Sequence, residues 1–299
     1  MVGNYKIDFL IPYVGVGINC LEFYIENILG TTAKPENINI IVSHHSQEDL
    51  KILENSKIYK KIYKVIYAKK DEPNHHWHAS VSHTNALNEL YKNISSDIVI
   101  FSDYDMAFVE KNWDEYIVAE LIDNNIDILG VNYPNKALPY QFSKSEQPGY
   151  AFKYQKIPNL SFFAAKEVTL KKYFPKKISN FDEMCKASNF KPLLQITSDN
   201  QSKIYNLPMH NILWADTGIN IPKIVFENNL QTKLIFHEIN LAHEFFKESE
   251  KSKQFSPEIF SLNKILFLAH YKKGTFKERK GIDQFNFFKN DVNNYLKNN

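Results

Sequence analysis

The most informative part of the sequence is Asp-Ile-Val-Ile-Phe-Ser-Asp-Tyr-Asp-Met, residues 97–106. Its apolar run, residues 98–101, has the length and the β-branched side chains of a buried strand, and Asp103 and Asp105 follow it. Because ligands of α/β sheets bind at the carboxyl ends of strands, the two carboxylates are expected at a binding edge. Carboxylate oxygens suit Mg²⁺ or Mn²⁺ and leave coordination positions for a substrate phosphate. The stretch therefore predicts a site for a nucleotide diphosphate, unless the two aspartates only cap the next turn or helix.

Strand-like and helical patterns alternate around this stretch. Strands are predicted at residues 6–12, 38–43, 64–68 and 126–131, and helices at residues 19–29, 79–92 and around 113–121, with one more helix before residue 64. This alternation predicts an α/β fold with a mostly parallel sheet and helices on both faces. Residues 132–160 have no clear period and are expected to form a long functional loop that closes over the site.

The second half of the chain has a mixed pattern. Residues 224–246 and 257–271 are interpreted as helix-rich, and the Lys- and Asn-rich end as a surface helix, so a helical C-terminal elaboration is expected. Neither an internal repeat nor a low-complexity linker interrupts the sequence. One domain, residues 1–299, is the simplest prediction.

Composition narrows the class of protein. The 299 residues are 43% hydrophobic and 14% aromatic, which is typical of a globular protein, and the net charge is +2. Only Cys20 and Cys185 are cysteines, and neither an apolar run of membrane-spanning length nor an export signal is recognisable, so a cytoplasmic location is expected. Arg279 is the only arginine. The scarcity of bidentate guanidinium groups disfavours sequence-specific DNA binding.

Four segments, in order and spacing, resemble the GT-A-fold glycosyltransferases, in particular their family 2-like group. They are Ile-Asp-Phe-Leu-Ile-Pro-Tyr at 7–13, Asn-Ile-Ile-Val-Ser at 39–43, His-Thr-Asn-Ala-Leu-Asn-Glu-Leu at 83–90, and the Asp-x-Asp signature in Ile-Phe-Ser-Asp-Tyr-Asp at 100–105. The resemblance implies transfer of a hexose from a nucleotide-diphosphate sugar to an acceptor hydroxyl, with Mn²⁺ or Mg²⁺ as cofactor and UDP as the family's default nucleotide. It divides the domain into a nucleotide-sugar half (1–135), an acceptor-side half (136–272) and a C-terminal surface extension (273–299).

The resemblance also implies site residues. Asp105 would bind the metal directly, Asp103 would contact the ribose, the metal or a metal-bound water, and His270 in Leu-Ala-His-Tyr-Lys-Lys-Gly-Thr (268–275) would be a further metal ligand. The alternative for His270 is a packing role at the end of an aromatic-rich helix. Residues expected to contact the donor are Pro12, Tyr13, Ser43, His83, Asn85, Asp103 and Lys272, and Lys273 and Arg279 could also neutralise the leaving diphosphate.

Asp216, in Trp-Ala-Asp-Thr-Gly at 214–218, is the candidate general base, because an acceptor hydroxyl needs a carboxylate to take its proton. A carboxylate base favours an inverting reaction, although the sequence leaves the stereochemistry open. The alternative is that Asp216 only caps the next segment, in which case Asp182 and Glu183 are the next candidates. A separate cluster, His75-His76-Trp77-His78 with His83, could bind zinc, but a polar loop explains it equally well.

One departure from the family pattern concerns the nucleoside. Family members usually end the second strand with acidic residues, whereas Ser43-His44-His45-Ser46 stands here, so the base preference is open. Two other classes of function are considered: a metal-dependent hydrolase, and a non-catalytic nucleotide- or sugar-binding module. The acceptor could be a polysaccharide, a lipid-linked glycan, a protein or a modified nucleic acid.

Overall fold

The computed structural model describes residues 5–71, 78–132, 140–142, 158, 160–179, 212–215, 221–247, 257–271 and 285–299. The strands are β1 Ile7–Pro12, β2 Ile38–His44, β3 Lys64–Tyr67, β4 Ile98–Ser102, β5 Met106–Phe108, β6 Ile128–Asn132, β7 Tyr140–Phe142, β8 Phe162–Lys166, β9 Ile212–Ala215, β10 Thr232–His237, β11 Glu258–Leu262 and β12 Ile265–His270. The helices are α1 Ile18–Thr31, α2 Gln47–Glu54, α3 His78–Tyr91, α4 Trp113–Val118, α5 Glu167–Tyr173, α6 Ile221–Glu227, α7 Ala242–Phe245 and α8 Phe285–Asn298.

Ten of the described strands form one sheet in the order β3-β2-β1-β4-β8-β6-β10-β11-β12-β5, and β7 pairs with β9 separately. The strands β3, β2, β1 and β4 are parallel to one another, as β6 is to β10. The pairings of β8 with both neighbours, and those of β11, β12 and β5, are antiparallel. The predicted α/β class and the parallel β-α-β-α-β start are therefore confirmed, and the sheet becomes mixed beyond β4.

The sheet must curl strongly, because β4 and β5 are consecutive in sequence but far apart in strand order. They are six positions apart, which would be about 29 Å in a flat sheet with strands about 4.8 Å apart. Only residues 103–105 join them, and such a link reaches about 14 Å at most. The curl therefore brings the β12–β5 edge back to the carboxyl end of β4, so that the two aspartates lie where the two ends of the sheet meet.

Apolar side chains pack on both faces of the sheet. On one face Phe9 of β1 contacts the rings of Tyr24, Phe108 and Trp113 edge-on, at centroid distances of 5.8, 6.2 and 5.7 Å. On the other face Leu10 packs in a second cluster with side chains of α3, α5 and α6. This alternation follows from the period of two in a strand. The predicted placement of helices on both faces is confirmed.

The interpretation as helix-rich is wrong for residues 257–271, which form two strands, and holds only in part for residues 224–246, where short helices flank a strand. These segments contain β10, β11 and β12, with only the short helices α6 and α7 beside them. The link between β11 and β12 is a two-residue turn in which Asn263 and Lys264 both have positive φ, 53° and 68°. Such turns join two strands of a hairpin, and their usual Asn-Gly signal is absent here because Lys264 takes the glycine position. Without that signal the two apolar runs read as one helix.

The predicted C-terminal helix is present as α8. Its Phe288 and Val292 are buried, and the Phe288 ring lies 5.4 Å from that of Tyr271, so this helix packs against the core. Most of the predicted loop of residues 132–160 lies outside the described residues. Across the described parts of the chain, helices fall short of the length and apolarity that crossing a membrane requires.

Candidate active site

The carboxyl ends of β2, β1 and β4 lie side by side, because these strands are parallel neighbours in the sheet. Pro12 ends β1, Ser43 lies opposite it on β2, and Asp103 follows β4. The backbone N–H of Tyr13 donates to the carbonyl of Ser43 at 3.2 Å, and its ring contacts that of Tyr104 at 5.6 Å. Four of the residues expected to contact the donor therefore lie along one edge of the sheet.

Asp103 contacts His83 of α3. The His83 Nε2 atom lies 3.3 Å from Asp103 Oδ1, and the Asp103 side chain is 33% exposed. The Asp103 backbone N–H donates to the carbonyl of Ser161 at 2.9 Å, which fixes the strand end against β8. His83 and Asp103, two residues predicted to contact the donor, are thus brought together from separate elements. The carboxylate of Asp103 is partly open to solvent.

Asp105 belongs to a second, more buried group with His270 and Glu258. His270 Nε2 lies 3.3 Å from Asp105 Oδ1, and His270 Nδ1 lies 2.9 Å from Glu258 Oε2. The side chains of Asp105, His270 and Glu258 are only 11%, 10% and 6% exposed. Strand pairing explains the arrangement, because His270 lies opposite both Glu258 on β11 and Met106 on β5.

Two details of this group differ from the sequence interpretation. His270 ends a β-strand and not a helix. Glu258 was not among the predicted site residues, because a single carboxylate near Pro257 gives no local signal, and only the β11–β12 pairing places it beside His270. A buried strand residue with a charge is the feature that could have pointed to it, since Glu is rarely buried unless it is paired.

Burial lowers the pKa of His270, but the charge of Asp105 and the hydrogen bonds to Asp105 and Glu258 outweigh it and raise the pKa to about 10. Without a metal, the group is therefore an imidazolium between two carboxylates. Burial raises the pKa of Tyr24 and of Tyr104 well above the ordinary value, and the nearby Asp103 and Asp105 act in the same direction. Both phenols stay neutral, and Tyr104 donates to the carbonyl of Val16 at 2.7 Å.

The side chains of Asp105 and His270 fit a divalent cation. In an octahedral shell with bonds of about 2.1 Å, adjacent ligand atoms lie about 3.0 Å apart, and the Asp105 Oδ1 to His270 Nε2 distance is 3.3 Å. An oxygen and an imidazole nitrogen also suit Mn²⁺. Within the part of the chain that the structure describes, no group of three or more His, Cys, Asp or Glu side chains could hold a metal ion. Two protein ligands would leave the other positions to substrate oxygens and water.

The end of β2 holds two buried polar atoms that have no hydrogen-bond partner among the described residues, Ser43 Oγ and His45 Nε2. His45 Nδ1 lies 2.8 Å from the carbonyl of Ala68, which can only accept, so this nitrogen carries the proton. Burial lowers the pKa of His45, and the ring is therefore neutral with a lone pair on Nε2. His45 Nε2, an acceptor, and the Ser43 hydroxyl thus occupy the end of the second strand, where the glycosyltransferases that the sequence resembles usually have acidic residues.

The structure locates the other predicted residues less directly. Asn85 donates from its amide to the carbonyl of Lys69 at 3.2 Å, about 200° around α3 from His83. Asp216 lies outside the described residues, but it follows β9 directly in sequence. The remaining candidates also lie outside them: Asp182, Glu183, Lys272, Lys273, Arg279 and the histidines at 75 and 76, and of His78 only the helical backbone is described.

Comparisons with known proteins were made for the sequence and for the fold. Protein-family models give no match, and neither do curated protein sequences. Among solved structures, the chain is similar to the mannosyltransferase PcManGT from Pyrobaculum calidifontis in complex with GDP-Man and Mn²⁺, with 12% identity over 56% of this chain and 46% of that one and a TM-score of 0.37. It is also similar to S. aureus TarS 1-349, with 14% identity over 56% and 48% of the two chains and a TM-score of 0.38. The chain spans about half the length of these structures.

Proposed function

We propose that this chain is a metal-dependent glycosyltransferase. It moves a hexose from a nucleotide-diphosphate sugar, a UDP-sugar first among the candidates, to an acceptor hydroxyl with inversion. The observation that carries the proposal is the meeting of Asp105 and His270, 3.3 Å apart, beside Asp103 at the carboxyl edge of the sheet. Oxygen and imidazole ligands at that edge are what a diphosphate with a divalent cation requires.

Each residue of this site has a proposed task. Asp105 and His270 would hold the divalent ion, which when bound supplies positive charge against the diphosphate that leaves. Asp103 is more exposed and would contact the ribose or a metal-bound water, with His83 fixing its carboxylate. Glu258 accepts from His270 Nδ1 and so points Nε2 towards Asp105. Asp216, directly after β9, would take the acceptor proton.

The end of β2 would receive the base of the nucleotide. An unpaired buried polar atom costs free energy, on the order of 1–3 kcal/mol, until a partner is found. The lone pair on His45 Nε2 accepts a hydrogen bond, and the Ser43 hydroxyl can donate one. Uracil presents an N–H donor next to carbonyl acceptors, so these two groups support a uracil nucleotide as the first donor to test. Guanine, which has a similar N–H and carbonyl edge, is the second.

The proposal is tested by the melting temperature of the protein with UDP, with Mn²⁺ and with both. Joint binding at 100 times the dissociation constant stabilises a folded protein by about 2.7 kcal/mol. We expect a rise with UDP and Mn²⁺ together that exceeds the sum of the separate effects, and a smaller rise with GDP. The same panel of nucleotide sugars is then assayed for slow hydrolysis. Equal stabilisation by UDP with and without Mn²⁺ would refute the metal-dependent donor site.

A further inference from the structure

A second concavity lies beside α3, apart from the proposed metal site. Its volume is about 390 Å³, within the range of small-molecule pockets. Three segments form its wall: the chain just after β3, one face of α3, and the turn that follows α5. Lysine is the most frequent residue of its lining, at Lys69, Lys70, Lys92, Lys176 and Lys177, against the two carboxylates of Asp71 and Glu89.

Most of this positive charge is not neutralised by the wall itself. Glu89 is engaged by Lys92, whose Nζ lies 2.6 Å from Glu89 Oε1. The exposed ammonium groups of Lys69, Lys70 and Lys176 have no carboxylate partner anywhere in the described residues. A cavity that gathers unpaired charges of one sign raises the local concentration of ions of the other sign.

Hydrogen bonds hold the three wall segments together. Asn85 of α3 donates to the carbonyl of Lys69 at 3.2 Å, which ties the helix to the chain after β3. Asn88 bonds Ser179 twice, as donor to its carbonyl at 2.8 Å and as acceptor from its N–H at 3.1 Å. These bonds also occupy the Asn88 amide, so a ligand would meet chiefly the ammonium groups of Lys69, Lys70 and Lys176.

The cavity is distinct from the proposed metal site. His83 faces Asp103, whereas Asn85 lines the cavity, and two residues of a helix point about 200° apart. The helix α3 therefore lies between the cavity and the metal site, whereas the cavity residues Lys69 and Lys70 follow Ala68, whose carbonyl contacts His45 of the proposed base site. None of the candidate metal ligands Asp103, Asp105 and His270 lines the cavity, so an ion bound at them is not part of its wall.

We propose that this cavity is a second binding site, for a ligand that carries two or more adjacent phosphate-type anionic groups, and that it works without a metal. A sphere of about 390 Å³ is about 9 Å across, close to the screening length of about 8 Å at physiological ionic strength. The lysines around it therefore act jointly on one ligand. Lysine binds phosphate as a compact point charge, which does not require the planar geometry of an arginine pair.

The test measures binding of inorganic tripolyphosphate and of orthophosphate to the whole chain by calorimetry, in buffer with EDTA. The triple variant Lys69→Gln/Lys70→Gln/Lys176→Gln removes from the cavity three charges that no carboxylate of the described residues pairs. The matched control Lys51→Gln/Lys60→Gln/Lys111→Gln removes three exposed lysines that do not line it. Melting curves verify that both variants are folded.

We expect the wild type to bind tripolyphosphate at least tenfold more tightly than orthophosphate, with an affinity that falls as salt rises. The cavity variant should lose at least tenfold in tripolyphosphate affinity and the control less than twofold. Equal losses in both variants, or none in either, would overturn the inference, as would equal affinity for the two anions. Asp105→Ala should leave this binding unchanged, whereas it should abolish binding of UDP with Mn²⁺, so that the two proposals can fail separately.

Discussion

The imidazolium of His270 should make the stability of the metal-free protein depend on pH in a defined direction. The folded-state pKa of His270 is about 10, whereas the ordinary value is 6.5. A raised folded pKa means that the folded state binds the proton more tightly than the unfolded state does. The stabilisation is therefore fully present below pH 6.5 and is lost as the pH rises towards 10.

The size of the effect follows from the pKa difference. Between pH 7 and 9 the unfolded histidine is mostly neutral and the folded one is mostly charged, so the free energy of unfolding should fall by up to about 1.4 kcal/mol per pH unit. The loss over this interval is at most about 3 kcal/mol. That is a large part of a typical stability of 5–15 kcal/mol, so urea unfolding with EDTA present can resolve it.

A suitable reference is the double variant His270→Gln/Glu258→Gln. Removing His270 alone would leave two buried carboxylates face to face, and such a variant could fail to fold. The double variant removes the imidazolium together with one of its two carboxylates, so the net charge of the group is the same at neutral pH. We expect the stability difference between wild type and variant to shrink between pH 7 and 9. A difference that stays constant across this interval would refute the ion pairing of His270.

Three further outcomes are expected. Asp105→Ala should abolish Mn²⁺-dependent nucleotide binding in calorimetry and leave the melting cooperative, because the side chain lies at the end of a strand; unchanged affinity would contradict the metal site. Asp216→Asn should lower turnover by about 10²–10⁴-fold with donor affinity near wild type, as expected for a general base, and a near wild-type rate would assign Asp216 to a capping role. Glu258→Gln should lower the pKa of His270 in NMR titrations of the metal-free protein, whereas the buried-carboxylate control Asp114→Asn should not; equal pKa values would show that Glu258 does not stabilise the imidazolium.

The first half of the fold could be predicted because its signals are local. The run of residues 98–101 is apolar, β-branched and of strand length, and it is strand β4. Asp103 and Asp105 follow this strand directly, as the sequence indicates. Residues adjacent in sequence to the end of a strand must also lie near that end in space. The same holds for β1 and α1, where Gly17 at φ 75° begins the helix. Periodicity over a few residues is sufficient for such elements.

The second half depends on contacts that no local pattern encodes. Glu258 acquires its role only through its pairing with His270, which lies twelve residues further along the chain. For Asn85 the deciding property is the direction of its side chain on the helix. His83 and Asn85 are both predicted to contact the donor, and because their side chains point about 200° apart on α3, a ligand that touches both must reach two faces of the helix. The helical period, applied to this pair, already favours separate surroundings.

The proposed metal site therefore depends on the pairing of β5 with β12, a strand that is remote from the Asp-x-Asp signature in sequence. His270 reaches Asp105 because β12 pairs with β5, and β5 begins one residue after Asp105. A shift of one residue in that pairing would turn the His270 side chain to the opposite face of the sheet. The turn at Asn263 and Lys264 acts on a different pairing, because it closes the β11–β12 hairpin with two residues, and that hairpin places Glu258 opposite His270. The curl of the sheet thus brings a histidine at the end of β12 and a carboxylate that follows β4 into one site.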